Sequence, residues 1–219
     1  MIDVEGLTVA YGRSLALERV TLHISEGICG LFGPNGSGKT TLLRVLAGLL
    51  RPTDGSATFG GSAIDAQQED FRRLVGYAGH ETGLYRHLTV GENLELFARL
   101  YGAPPERVDE VLTALDLLDR KQVRALALSA GLKRRAAVAR ALLHDPQLLL
   151  LDEPYANLDE EAAGSVNVAI TAWHRPGKCA VIATHGAKRL KPIVNASIVL
   201  RRGNVASHRA APDRAVSPT

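Results

Sequence analysis

No apolar run in this chain approaches the ~18 residues that a helical membrane crossing needs, so any role at a membrane has to come through a partner. The opening residues, MIDVEGLTV, carry neither the basic nor the long apolar stretch of a secretory signal, and none is expected. Cysteine is scarce: Cys29 and Cys179 are the only two, each inside an apolar strand-like run. That argues against a disulfide framework or a cysteine-built metal site, and reads as two small core residues in a reducing compartment. Excess charge is lacking too. The net charge is only +3 over 219 residues, which does not call for a nucleic-acid partner. No internal repeat is apparent. What the chain does have is 46% hydrophobic residues, enough for one packed core or for one core with a subdomain.

The most informative stretch is Gly33-Pro34-Asn35-Gly36-Ser37-Gly38-Lys39-Thr40, the pattern G-x-x-x-x-G-K-[ST]. Glycines let the backbone wrap so that successive N–H groups point inward at an anion. Lys39 can reach terminal phosphates, and the Thr40 hydroxyl can ligate Mg²⁺, which takes few protein ligands. The apolar run Ile28 to Phe32 before it suits a buried parallel strand. The stretch TLLRVLAGLL after it suits a helix whose N-terminus faces the same anion.

The remaining chain alternates between strand and helix patterns. Residues 2–25 predict two strands around Tyr11 and Gly12, with Val20, Leu22 and Ile24 on one face. Ser56 to Phe59 predicts a strand of a hairpin, and Leu74 to Ala78 a short apolar run. Thr89 and Glu92 make a capping box, with Val90, Leu94, Phe97 and Tyr101 following at helical spacing. Pro104 and Pro105 start a second helix with Val108, Val111, Leu112 and Leu115 on one face. Ser129 is placed to cap a third helix whose KRR, Lys133 to Arg135, reads as a solvated face. Residues 81–126 show no strand pattern and predict a helical insertion in an α/β core.

Gln147 to Leu151 is an apolar strand that runs straight into Asp152 and Glu153. The carboxyl ends of parallel strands are where open α/β sheets bind ligands. An Asp there can hold Mg²⁺ beside a phosphate loop, and Glu153 can polarise a water. Cys179 to Thr184 is another buried strand, and His185 stands at its carboxyl end. Between them, Val166, Ala169 and Trp173 predict the inner face of a helix. A hairpin, Ser197 to Leu200 and Asn204 to Ala206, and a polar, disordered tail over 208–219 complete the reading.

Together these motifs resemble the ATP-binding cassette (ABC) ATPases over nearly the whole chain. GPNGSGKT resembles their Walker A, LLLLDEP their Walker B with its glutamate, LSAGL their signature loop, ANLD their D-loop and ATH their switch-histidine strand. The resemblance implies an α/β P-loop NTPase fold with a RecA-like core, an antiparallel β subdomain and an inserted α-helical subdomain. The core would span about 1–80 and 145–207, and the helical subdomain about 81–144. It implies ATP and Mg²⁺ as cofactors, with two copies sandwiching two ATPs head to tail. Nucleotide binding would fall to Tyr11, which stacks the base, and to Gly33, Pro34, Asn35, Gly36, Ser37, Gly38, Lys39, Thr40 and Thr41. Thr40 and Asp152 would hold Mg²⁺, Glu153 would activate water and His185 would contact the γ-phosphate. Ser129, Ala130 and Gly131 would act on the partner's ATP, and Asp159 would link the two sites.

His80 stands where the family has a glutamine; a neutral imidazole nitrogen can accept from a Mg²⁺-bound water, a protonated one cannot. Such a subunit would sit on the cytoplasmic face of the membrane against an integral permease. GYAGH, GLYRHLTVGENL and LSAG with KRR are similar to the heme-exporter ATPase of cytochrome c maturation. LKRR and ARALLHDP also look like ABC-2-type drug or antibiotic exporter subunits, and a soluble ATPase of iron–sulfur assembly remains a third class.

Overall fold

The computed structural model describes residues 1–64 and 68–209. Its strands, in chain order, are β1 (Ile2–Tyr11), β2 (Ser14–Ile24), β3 (Gly27–Phe32), β4 (Asp54–Phe59), β5 (Ser62–Ala63), β6 (Val75–Ala78), β7 (Leu148–Asp152), β8 (Cys179–Thr184), β9 (Ala196–Arg201) and β10 (Asn204–Arg209). The helices are α1 (Lys39–Leu46), α2 (Glu69–Leu74), α3 (Val90–Tyr101), α4 (Glu106–Ala114), α5 (Ala130–Leu142), α6 (Glu160–Trp173) and α7 (Ala187–Leu190). An antiparallel sheet has the order β2-β1-β4-β5, and a larger sheet the order β10-β9-β3-β8-β7-β6. In the larger sheet β9, β3, β8, β7 and β6 pair in parallel, and β10 adds an antiparallel edge. This is the α/β cassette fold expected from the motifs.

The central strands show why. Every residue of Leu148–Asp152 and of Cys179–Thr184 is buried, as a strand covered on both faces requires. Their side chains alternate between two cores. Leu149, Leu151, Ala180 and Ile182 join the core under α3 to α6, while Leu148, Leu150, Cys179 and Val181 join the one facing α1 and the antiparallel sheet. Both cysteines are free, and burial pushes each thiol up to about 12, which makes them inert packing residues.

Helices α3, α4 and α5 lie between β6 and β7 in sequence, so the insertion hangs between two adjacent parallel strands. The capping box forms: Thr89 Oγ1 accepts from the Glu92 amide and Glu92 Oε2 from the Thr89 amide. Val90 and Leu94 are fully buried. Ser129 caps α5 and Asp159 caps α6, each through a side-chain oxygen. Trp173 closes α6 with its indole N–H on the Pro146 carbonyl at 3.0 Å.

Two local expectations change. β10 runs to Arg209, past Ala206, because the ladder with β9 resumes after a register shift between Val205 and Ser207. His208 and Arg209 therefore belong to a strand, and the rest of the expected tail, 210–219, lies outside the described residues. The KRR stretch is not a solvated face. Arg134 is only 7% exposed, and the Arg135 guanidinium donates to the Leu115 carbonyl at 2.9 Å.

His144, just beyond α5, gives the fold an acid limit. Its ring stacks on Tyr101 with centroids 4.1 Å apart, and Nε2 lies 3.2 Å from the Val75 carbonyl. Nδ1 is buried with no partner among the described residues. Burial pushes the pKa from the ordinary 6.5 down to about 4. A histidine held neutral contributes stability that is intact above pH 6.5 and is lost as pH falls from there toward 4. Unfolding in urea should therefore show about 2 kcal/mol less stability at pH 5 than at pH 7.5 from this ring alone. His144→Phe, which keeps the stack and cannot titrate, should flatten that part of the profile; an unchanged slope would show that the ring protonates in place.

Candidate functional site

The loop between β3 and α1 is shaped by backbone that side chains could not follow. Gly38 has φ 104°, and a Cβ there would sit 2.7 Å from the Ala16 carbonyl oxygen. At Gly33, φ 150°, it would sit 2.3 Å from the Leu200 oxygen. The loop is thus wedged between β2 and β9. Lys39 turns back over it: Nζ donates to the Gly33 carbonyl at 2.8 Å and to the Pro34 carbonyl at 3.1 Å.

Across the loop stand the carboxyl ends of β7 and β8. Thr40 Oγ1 donates to Asp152 Oδ2 at 2.7 Å. Desolvation pushes the Asp152 carboxyl above its ordinary range, and the Thr40 hydrogen bond pulls the other way. A hydroxyl and a buried carboxylate facing one open space are a hard-oxygen donor pair. They fit Mg²⁺, which takes one or two protein oxygens and completes its shell with water and phosphate. Among the described residues no cluster of three or more His, Cys, Asp or Glu could hold a metal.

Glu153 has a left-handed backbone, φ 49°, which turns its side chain off the strand toward β8. Its amide donates to the Ala183 carbonyl at 2.8 Å. Its Oε2 accepts from Thr184 Oγ1 at 3.0 Å, and its Oε1 from the His185 amide at 2.9 Å. His185 Nδ1 lies 2.9 Å from the same Oε1, so a tautomer with the proton on Nδ1 donates there. The carboxylate is mostly buried while the His185 ring is 69% exposed. A carboxylate held by three donors at the mouth of a phosphate loop is placed to take a proton from water.

A cavity of about 500 Å³ gathers these groups. It is lined by Asn35, Gly36, Gly38, Lys39, Thr40 and Thr41 together with His80, Asp152, Glu153 and His185. Gly33, Pro34 and Ser37 belong to the loop but do not line this cavity. Tyr11 ends β1, is 48% exposed and does not reach the cavity, so it is a free aromatic face rather than a core residue. Ser129, Ala130 and Gly131 do not line it either, nor does Asp159. Gly131 instead packs on the D-loop, where an added Cβ would lie 2.6 Å from the Asn157 carbonyl oxygen.

Two polar residues escaped the sequence reading. Thr184 is buried and bridges: its hydroxyl donates to Glu153 and accepts from the Gly186 amide at 3.1 Å. Its position just before a strand-end histidine was the available signal. Arg134 donates to the carbonyls of Gly79, His80 and Asp152, and no local pattern announces that.

Comparison with known proteins agrees with this geometry. Residues 17–156 match the ABC transporter family. The chain is 34% identical over 207 residues to the Nod factor export ATP-binding protein I of Mesorhizobium japonicum, covering 92% of this chain and 61% of that one. It is 35% identical over 215 residues to the sulfate/thiosulfate import ATP-binding protein CysA of Brucella melitensis, covering 93% and 59%. It thus spans about three-fifths of the length of both relatives. Among solved structures it is similar to the dimeric post-hydrolysis state of the ATP-binding cassette MJ0796 bound to ADP and Pi, with a TM-score of 0.88 and 27% identity, covering 97% of this chain and 99% of that one. The family match, the fold and the phosphate loop facing a carboxylate pair agree: the chain belongs to the ABC transporter family, as an ABC ATPase domain.

Proposed function

We propose that the chain is the ATP-hydrolysing subunit of a membrane exporter, that it works as a homodimer, and that its transport task is heme export for cytochrome c maturation. The observation that carries the ATPase cycle is the single cavity in which the phosphate loop, the Thr40–Asp152 pair and the Glu153–His185 pair converge while the signature residues stand outside it. In this reading one chain holds half of a site. In the proposed cycle Lys39 and the loop amides bind the phosphates, and Tyr11 stacks the base. Thr40 and Asp152 hold Mg²⁺, which offsets phosphate charge when bound. Glu153 takes the proton of the attacking water, and His185 lies against the γ-phosphate. Ser129, Ala130 and Gly131 of a second copy close the other side, and Asp159 joins the two sites. ATP closes the dimer and hydrolysis opens it, which drives a permease docked around His80 to Leu88 on the cytoplasmic face.

Support for export rests on the Nod factor export relative, and support for heme on the residues GYAGH, GLYRHLTVGENL and LSAG. ATP turnover per molecule should rise with protein concentration, because the active site assembles from two chains. A specific activity independent of concentration would remove the dimer from the proposal. Deletion of the gene should leave c-type cytochromes without covalent heme; normal heme attachment would remove the heme assignment while leaving the ATPase reading in place.

A further inference from the structure

We infer that Arg134 is a positioning residue that ties this chain's own hydrolytic residues to the loop it presents to the opposite nucleotide, so that the two sites of a dimer respond together. The inference rests on the proposed dimeric ATPase cycle.

Between Arg134 and Ala141, helix α5 touches the backbone of residues 76–80 at several points. At one end its Ala141 carbonyl presses on Gly76, where an added Cβ would sit 2.1 Å from that oxygen. Beside it the Arg140 guanidinium donates to the Tyr77 carbonyl at 3.0 Å. Toward the N-terminus Arg134 Nη1 donates to the Gly79 carbonyl at 2.7 Å and Nη2 to the His80 carbonyl at 2.9 Å. Nη1 also reaches the Asp152 carbonyl at 3.4 Å. One buried guanidinium therefore bridges the segment that carries His80 and the strand end that carries Asp152 and Glu153. Its charge faces both carboxylates.

The same helix begins at Ser129, Ala130 and Gly131, and Gly131 is in backbone contact with Asn157 on the way to Asp159. A guanidinium is a planar, five-donor fork with no acceptor, so its three carbonyl bonds fix orientation as well as distance. When a ligand at Asp152 or His80 shifts either segment, the fork carries the shift into α5 and on to Ser129 and Gly131. A flexible or single-donor side chain would absorb it. The role is transmission, since Arg134 does not line the nucleotide cavity.

The test uses the full chain with Arg134→Gln, which keeps a donor and loses the charge, and Arg134→Lys, which keeps the charge and loses the fork. Fluorescent ATP binding at monomeric concentration should stay within about twofold of the parent, whereas kcat should fall at least tenfold in both. The Hill coefficient for ATP should fall toward one, and in a Glu153→Gln background the ATP-driven dimer should need at least tenfold more protein to form. Parental kcat and dimerisation in both variants would overturn the inference. So would a parallel loss of ATP affinity, turnover and melting temperature, or failure of both variants to fold, because each makes Arg134 a stability residue. If the unsubstituted chain neither hydrolyses ATP nor dimerises with it, the proposed cycle itself fails, which is a separate outcome read on the parent alone.

Discussion

Glu153→Gln is expected to cut ATP hydrolysis at least a hundredfold, leave ATP binding intact and hold the protein as an ATP-bound dimer. The argument begins with geometry. Glu153 follows the last residue of a fully buried strand and has a left-handed backbone, which aims its carboxylate across to β8. Glutamine has the same length and shape. Its oxygen can keep the His185 amide bond, and the Thr184 hydroxyl can rotate to meet its NH₂ group. What is lost is the negative charge and the capacity to take a proton from water, which general-base catalysis values at about 10²–10⁴ in rate. Binding should survive because the phosphate loop, Lys39 and the Thr40–Asp152 pair are untouched. Phosphate release gives the rate, and light scattering with and without ATP gives the assembly state. A variant that turns over at the parental rate would remove Glu153 from the base role and pass the task to His185 or to the phosphate itself.

The same carboxylate shows which parts of the site can be read from sequence. DE at the end of an apolar run announces a strand whose polar end faces a ligand, and β7 is that strand. Its bond to Thr184 is a different matter. It depends on β7 and β8 being neighbours with Asp152 opposite Ala183, a pairing between residues far apart in the chain. Periodicity speaks for one segment at a time and is silent about which strands adjoin. Arg134 failed in the same way. On an isolated helix a KRR triplet reads as solvent-facing, and its burial follows from carbonyls supplied by residues 79, 80 and 152.

Local chemistry, by contrast, was legible wherever the signal and its cause are close in sequence. The Thr89–Glu92 capping box, the Ser129 cap and the glycines of the phosphate loop each act within a few residues. Tyr11 stood between. An aromatic in a loop reads on its own as a satellite core residue, whereas the resemblance makes it a stacking face. The ring is exposed at the strand end because β1 there runs into its turn with β2 rather than into a layer of side chains. β10 was read short because Ser207, His208 and Arg209 lack an apolar alternation, and main-chain pairing with β9 holds them instead.

Lys39→Ala is expected to weaken ATP binding about 10- to 100-fold, through two losses at once. The ammonium bonds two loop carbonyls, those of Gly33 and Pro34, and the residue is 6% exposed. An ammonium has three N–H donors, so it can strut the loop and still present one to a phosphate oxygen. Hydrogen bonds to charged groups contribute about 1.5–3 kcal/mol each, and 1.4 kcal/mol is about tenfold in affinity. Alanine removes the phosphate contact and also frees the loop that aims the backbone amides. Lys39→Arg should not restore binding, because a planar guanidinium cannot occupy the space over two converging carbonyls that a compact ammonium fills. Titration calorimetry should be run with Mg²⁺ and again with EDTA. A side chain that acts on the phosphates loses affinity in both, whereas one that acts through the metal loses it only when Mg²⁺ is present. Parental affinity in the alanine variant would mean that the wedged glycine backbone alone captures the phosphates and that Lys39 serves only to brace it.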